Sequence, residues 1–236
     1  MEVESLWREP ERREIAWGAL ELHDVFKIYG RGDGETVALR GLDLRVEPGE
    51  LVAVFGPSGS GKSTMLHLAA GLDVPSAGDV RAFGRSLARL DESGLSSYRA
   101  REVALVFQAH NLLPALTARE NVELSLRLAG RRPVRDAARA ALHAFGLEGR
   151  AGATAGSLSG GEQQRVAIAA AAAREAPLVL ADEPTAELDE GNEAAVLEAL
   201  ARLRDSFGST VVVVTHSTRV ADASDRVLEV RDGRAA

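Results

Sequence analysis

Leu51-Val-Ala-Val-Phe55, followed by Gly56-Pro57-Ser58-Gly59-Ser60-Gly61-Lys62-Ser63-Thr64, reads as a short apolar strand running straight into a glycine-rich loop. The loop fits G-x-x-x-x-G-K-[ST], with Gly56, Gly61, Lys62 and Ser63 in the four fixed places. An apolar run this short, stopped by glycine and proline, suits a strand buried on both faces. The glycines let the backbone curl so that successive N–H groups point inward. A helix beginning at the loop's end adds its own unpaired N–H groups and the positive end of its dipole. Such a cradle binds phosphate. Within it the Lys62 ammonium reaches the β- and γ-phosphates of a nucleotide, and the Ser63 hydroxyl is placed to ligate Mg²⁺.

The lysine at 62 stands out against the rest of the chain. Of 28 basic residues only Lys27 and Lys62 are lysine, and arginine serves everywhere else. A compact ammonium fits between two phosphates where a flat guanidinium fork does not. At 236 residues the chain has room for one large α/β domain or two small ones. A formal net charge of -7 argues against a sequence-independent grip on nucleic acid, so no nucleic-acid partner is expected. With no cysteine, disulfides and cysteine-based metal sites are ruled out. The longest unbroken apolar run, Val166 to Ala173, is far short of a membrane span, and no secretory signal is recognisable ahead of the domain. A cytoplasmic chain is expected, with any membrane role exercised through a partner.

Residues 1 to 18 mix charges with Pro10 and carry both tryptophans, Trp7 and Trp17, and read as a flexible or loosely docked extension ahead of a single domain over 19–236. From Leu20 the pattern alternates: Leu20 and Leu22, then Val25, Phe26 and Ile28, and beyond a glycine-rich turn Leu42, Leu44 and Val46. This is half-buried antiparallel strand patterning, ended by Pro48-Gly49. Thr64 to Ala70 reads as a helix stopped by Gly71, and 79–90 is ambiguous. Val103 to Phe107, Leu178 to Ala181 and Val211 to Thr215 read as buried strands, and Val227 to Val230 as a last short one. Thr117-Ala-Arg-Glu120 is a capping box opening a helix to about Ala129. Pro133 to Phe145 is a second helix, and a third starts at Ser159. Val196, Leu200, Leu203 and Phe207 lie on one face of a further helix ended by Gly208. Buried strands alternating with helices predict an α/β fold: a mainly parallel, helix-covered sheet with an N-terminal antiparallel β subdomain and a helical subdomain inserted at about 95–175.

A phosphate loop alone indicates a nucleotide and nothing more. Asp182 and Glu183 narrow the reading, because an apolar strand delivers both carboxylates at its C-terminal end, where α/β sheets bind ligands. Asp182 can hold the Mg²⁺ shared with Ser63, while Glu183, turned the other way, can orient and polarise an attacking water. Ser159-Gly160-Gly161-Glu162 is a second capping box. Capping explains the serine and the glutamate. It leaves two consecutive glycines unexplained, each costing about 1 kcal/mol relative to alanine in a helix, and bare backbone there suits the close approach of another phosphate.

Leu158-Ser-Gly-Gly-Glu162-Gln163-Gln164-Arg165 resembles the signature motif of the ATP-binding-cassette (ABC) ATPases, and the similarity extends over nearly the whole chain from Leu20. The resemblance implies a P-loop NTPase core of the RecA-like kind that binds ATP with Mg²⁺. It makes Tyr29 the aromatic that stacks on adenine, residues 56–64 the Walker A loop, and Gln108 the glutamine near Mg²⁺ and the membrane partner. Asp182 and Glu183 become the Walker B aspartate and the catalytic glutamate, Ala186-Glu-Leu-Asp189 the D-loop, and His216 the switch histidine at the γ-phosphate.

The family's logic implies a head-to-tail dimer. Each Walker A face is covered by Ser159, Gly160, Gly161 and Glu162 of a second copy or paired subunit, and a separate integral permease holds the pair at the cytoplasmic face of the membrane. Residues 106–122, LSGGEQQRVAIA and LADEPT resemble the branch with lipoprotein-release, macrolide-export and cell-division ATPases. Ala170 stands where that branch has arginine, and Thr185-Ala-Glu-Leu-Asp189 replaces its T-G-N-L-D. Two rival functions share the ATPase: a mechanical relay that regulates an extracytoplasmic enzyme without transport, and a soluble ABC ATPase of DNA repair or translation. The second fits poorly, since Gln108 and Ser159 stand too close for a long coiled coil between them.

Overall fold

The computed structural model describes residues 17–30 and 34–236. The extension read at 1–18 lies outside the described residues up to residue 16, as does the middle of the turn after Tyr29. The first half runs β1 (Leu20–Tyr29), β2 (Thr36–Val46), β3 (Leu51–Phe55), α1 (Lys62–Ala69), β4 (Ala77–Ala82), β5 (Arg85–Ser86), α2 (Glu92–Arg101) and β6 (Val103–Val106). The second runs α3 (Ala118–Leu128), α4 (Val134–Ala144), α5 (Gly160–Ala173), β7 (Leu178–Asp182), α6 (Glu190–Phe207), β8 (Thr210–Thr215), α7 (Thr218–Asp222), β9 (Arg226–Arg231) and β10 (Arg234–Ala235).

The strands form two sheets. An antiparallel one has the order β2-β1-β4-β5, and a larger one has the order β10-β9-β3-β8-β7-β6, parallel except for β10. The apolar strands of the larger sheet show no polar alternation because both its faces are covered. Along β8, Val211 and Val213 enter a core shared with α3 to α6, while Val212 and Val214 enter a second core shared with α1 and the antiparallel sheet. On β7, Val179 and Ala181 face the first core and Leu178 and Leu180 the second. Of the face read on α6, Val196, Leu200 and Leu203 are buried, and Phe207 at its end stacks on Phe145 with ring centres 5.8 Å apart.

Register positions the site. Phe55 is level with Thr215, and Asp182 with Val214, so β3, β8 and β7 end side by side. The residues that follow, Gly56, His216 and Glu183, therefore leave the sheet at one edge.

Several elements depart from the sequence reading. β1 forms over Leu20–Tyr29 as read, irregular at Asp24, which takes φ 47°, whereas β2 starts at Thr36, ahead of the Leu42 to Val46 alternation. The ambiguous 79–90 is a hairpin, β4 and β5, followed by a 3-10 turn over Leu87–Arg89. The next helix, α2, lacks an apolar face, since only Tyr98 is buried; its start is fixed by Asp91, whose side chain accepts from the Gly94 N–H at 2.7 Å. The span 95–175, taken as the helical insert, also holds β6, the strand read at Val103 to Phe107, which pairs in parallel with β7. Its unbroken helical part begins only at α3, because the apolar 103–106 run belongs to the core sheet.

Candidate nucleotide site

At the phosphate loop, Gly61 is the N-cap of α1 with φ 100°, and a Cβ there would overlap the Ala38 carbonyl oxygen of β2. Both the left-handed turn and the close approach demand glycine. No side chain caps α1, so its first N–H groups remain available to an anion. Lys62 curls over the loop and donates to the carbonyl oxygens of Gly56 (2.6 Å) and Pro57 (2.9 Å). The Ser60 N–H donates back to Pro57 at 3.2 Å, and the turn between β9 and β10 clamps the loop through Gly233 N–H to Ser60 oxygen at 3.0 Å.

Ser63 Oγ donates to Asp182 Oδ1 at 3.2 Å, joining the loop to the end of β7. Burial pushes the Asp182 carboxyl above its ordinary value; the Ser63 hydrogen bond opposes this and the neighbouring Glu183 charge reinforces it. Glu183 takes φ 46°, a left-handed conformation that costs an ordinary residue on the order of 1 kcal/mol. The Asp182 carboxylate meets Ser63 of the loop, while that of Glu183 meets the end of β8. The Glu183 carboxylate accepts from Thr215 Oγ1 at 3.2 Å, and Glu183 Oε1 lies 2.8 Å from His216 Nδ1.

Gln108 leaves β6 toward the same edge, where its Nε2 reaches Glu187 Oε1 at 3.4 Å. Its backbone is held by Gln164 of α5, whose Nε2 donates to the carbonyl oxygens of Phe107 (2.9 Å) and Gln108 (2.6 Å). Tyr29, at the end of β1, donates from its hydroxyl to Asp73 Oδ2 at 2.9 Å. Burial raises the Tyr29 phenol above its ordinary value, as does the Asp73 bond, while the Thr64 hydroxyl of the phosphate loop opposes them. Tyr29 therefore sits against the loop.

The start of α5 forms both bonds of its capping box: Ser159 Oγ accepts from the Glu162 N–H at 3.2 Å, and Glu162 accepts from the Ser159 N–H at 2.9 Å. Arg150 adds an ion pair to Glu162 at 2.8 Å and is the first cause of that carboxyl's lowered pKa. Of the two glycines, Gly161 has a reason within the chain itself. A Cβ on Gly161 would overlap the Asn192 carboxamide, so packing inside the chain already requires that glycine. Gly160 would meet only a Leu188 methyl carbon at 3.3 Å. Asp189 is the N-cap of α6 and holds Asn192 by its N–H (2.9 Å) and its carboxamide (2.7 Å). Among the described residues no hydrogen bond or ion pair joins Ser159–Glu162 to residues 56–64. The phosphate loop, Asp182, Glu183, His216, Gln108 and Tyr29 gather at one edge, and the Ser159 helix stands apart. A cleft of about 950 Å³, lined by Arg119, Glu123, Arg135 and Arg139, lies between α3 and α4, away from the loop.

A family model described as ABC transporter matches residues 39–186. The chain belongs to the ABC transporter family. It is 44% identical over 217 residues to the lipoprotein-releasing system ATP-binding protein LolD of Geobacter metallireducens, covering 91% of this chain and 96% of that one. It is 42% identical to the macrolide export ATP-binding/permease protein MacB of Marinobacter nauticus, with 91% of this chain aligned to 33% of that larger protein. The dimeric ATP-binding cassette MJ0796 bound to ADP and phosphate superposes with a TM-score of 0.83 at 40% identity, covering 92% of this chain and 96% of that one. This ABC subunit is therefore an ATP-binding, ATP-hydrolysing α/β cassette of a membrane transporter. No helix among its described residues is long and apolar enough to cross a membrane. Sequence reasoning about the cassette passed over Thr215, Asn192 and Asp73 as site residues. Thr215 ends an apolar run and Asp73 sits in a turn, so only the folded neighbourhood gives either one a partner.

Proposed function

We propose that this ABC ATPase drives a separate integral membrane permease from the cytoplasmic face, on the branch of its lipoprotein-releasing and macrolide-export relatives, and that its working form is an ATP-bound head-to-tail dimer. The observation that carries the reading is the pairing of Glu183 with His216 (2.8 Å) beside a phosphate loop that the chain's own Ser159 helix does not touch. Glu183 orients the attacking water, His216 holds Glu183 and reaches the γ-phosphate, Lys62 and the loop N–H groups bind the β- and γ-phosphates, and Tyr29 stacks on adenine. Residues 159–162 of one copy, with Asp189 at the neighbouring D-loop, close over the nucleotide of the other.

Ser63, Asp182 and Gln108 offer a hydroxyl, a carboxylate and an amide, and no cluster of three or more metal-ligating acids or histidines exists among the described residues. Such a sparse oxygen set fits Mg²⁺, which takes few protein ligands and completes its shell with phosphates and water. When bound, Mg²⁺ neutralises charge on the transferring phosphoryl group.

The test is Glu183→Gln. Turnover should fall by roughly 10²- to 10⁴-fold, the usual contribution of a general base. The variant should also form a dimer in the presence of ATP, seen by light scattering. Wild-type turnover, or a monomer at saturating ATP, would overturn the reading. Purification from membranes with an attached integral protein tests the permease assignment separately.

A further inference from the structure

Lysine occurs twice in this chain, and the site described above uses one of the two. The other, Lys27 on β1, has a side chain only 12% exposed. Its ammonium donates to Asp73 Oδ1 at 2.5 Å and to the Val74 carbonyl at 2.8 Å, and lies over the Tyr29 ring at 4.9 Å from its centre. The second oxygen of the same carboxylate, Asp73 Oδ2, accepts the Tyr29 hydroxyl at 2.9 Å, and the Val74 N–H donates to Oδ1 at 2.7 Å. Asp73 thus ties the ammonium to the phenol, and the ring is held both by its hydroxyl and by one face. Burial pushes the Asp73 carboxyl up, but Lys27, the Val74 N–H and the Tyr29 hydroxyl outweigh it and hold the group below its ordinary value.

A chain that otherwise uses arginine for its cations keeps lysine here for a steric reason. Three converging partners, a carboxylate, a carbonyl and a ring face, suit a compact ammonium with three rotatable donors, whereas a planar guanidinium fork requires a flat slot. We propose that Lys27 is a positioning residue for the nucleotide base: through Asp73 and through one face of the ring it fixes Tyr29 so that the other face is presented to adenine. The proposal rests on the assignment of Tyr29 to base stacking. A side chain ordered in advance does not have to be immobilised when ligand binds, so Lys27 contributes to affinity for the base and leaves the phosphates and the hydrolytic groups alone.

The experiment measures ATP turnover of the purified chain and its inhibition by inorganic tripolyphosphate, which has the phosphates and lacks the base. Lys27→Met should raise KM for ATP about three- to tenfold, with kcat and the tripolyphosphate inhibition constant unchanged. Lys27→Arg should not restore KM. In a Tyr29→Leu background Lys27→Met should add nothing further. Lys27→Met combined with Asp73→Asn removes both charges of the pair and should show the same KM rise, which covers the case in which the single variant folds poorly. A KM unchanged by Lys27→Met while Tyr29→Leu raises it overturns the proposal and leaves the stacking assignment standing. So does an increase that persists in the Tyr29→Leu background, or that extends to tripolyphosphate. Should Tyr29→Leu itself leave KM unchanged, the stacking assignment falls and the proposal with it.

Discussion

The phosphate-loop edge and the start of α5 are both built at ends of regular structure, and they differ in what their polar groups touch. At the loop edge, bonds run between elements far apart in sequence: Ser63 to Asp182, Glu183 to Thr215 and His216, Gly233 to Ser60. At the start of α5, the Ser159 hydroxyl and the Glu162 carboxylate bond each other's backbone and Arg150. The first arrangement is a site assembled within one chain. The second is a finished helix terminus facing outward, with Gly160 offering bare backbone there. The difference teaches that a closed cap and a complete site are separate things: the helix start closes its own capping box, yet the proposed chemistry requires it to meet a nucleotide held by another copy.

The largest effect that tests this contrast comes from Gly160→Asp. An acidic residue in the first turn of a helix is favourable to it, and the only neighbour is a flexible Leu188 methyl carbon. Thermal stability should therefore be unchanged or slightly higher. Hydrolysis should fall by about 10²-fold or more, because a carboxylate is then set against phosphate where a donor was needed. Mixing this variant with Lys62→Ala, each inactive alone, should restore measurable turnover, since a mixed dimer holds one intact pairing of loop and helix. Failure of the mixture to recover activity would remove the trans arrangement.

The loop edge was legible in the sequence to a much greater depth than its surroundings. A strand that delivers Gly56 to Thr64 and a strand that delivers Asp182 and Glu183 carry their geometry locally, and parallel register then brings their ends level. The capping boxes at Thr117 and Ser159 were equally legible, because each depends on residues three positions apart; both form as read. Helix α2 was not, since its single buried residue, Tyr98, gives no period to detect. Asp73 and Thr215 could not be ranked from sequence because their partners are 44 and 32 positions away. Gly161 shows a further kind of limit: the sequence marked the glycine correctly and supplied an external reason, whereas Asn192 supplies an internal one.

A smaller effect separates capping from contact. Thr117→Ala and Ser159→Ala remove the same hydrogen bond from helices of similar kind, and each should lower unfolding stability by about 1 kcal/mol. Denaturant titration should not distinguish them. Steady-state hydrolysis should, because Thr117 caps α3 in a box with no proposed nucleotide contact, whereas Ser159 is proposed to donate to a phosphate across the dimer. Equal losses of activity in the two variants would reduce the start of α5 to a structural cap.

The smallest effect has opposite signs in the two regions. Asp182 has its carboxyl raised, chiefly by burial, so the folded state holds that proton more tightly than the unfolded one. Its contribution to stability is present below the ordinary carboxylate value and is lost as pH rises through the raised one. Glu162 has its carboxyl lowered, by Arg150 first and then by the Ser159 N–H. Its contribution is present above the ordinary value and is lost as pH falls through the lowered one. Asp182→Asn should therefore stabilise the free chain at neutral pH, and Glu162→Gln should destabilise it, each by less than about 1 kcal/mol. Both differences should vanish in acid, where the native carboxyls are protonated in folded and unfolded chains alike. Melting temperatures measured from acid to neutral pH check both signs in one series. A shift of the same sign in both variants would mean that burial does not govern Asp182, and that the loop edge and the helix start are electrostatically alike.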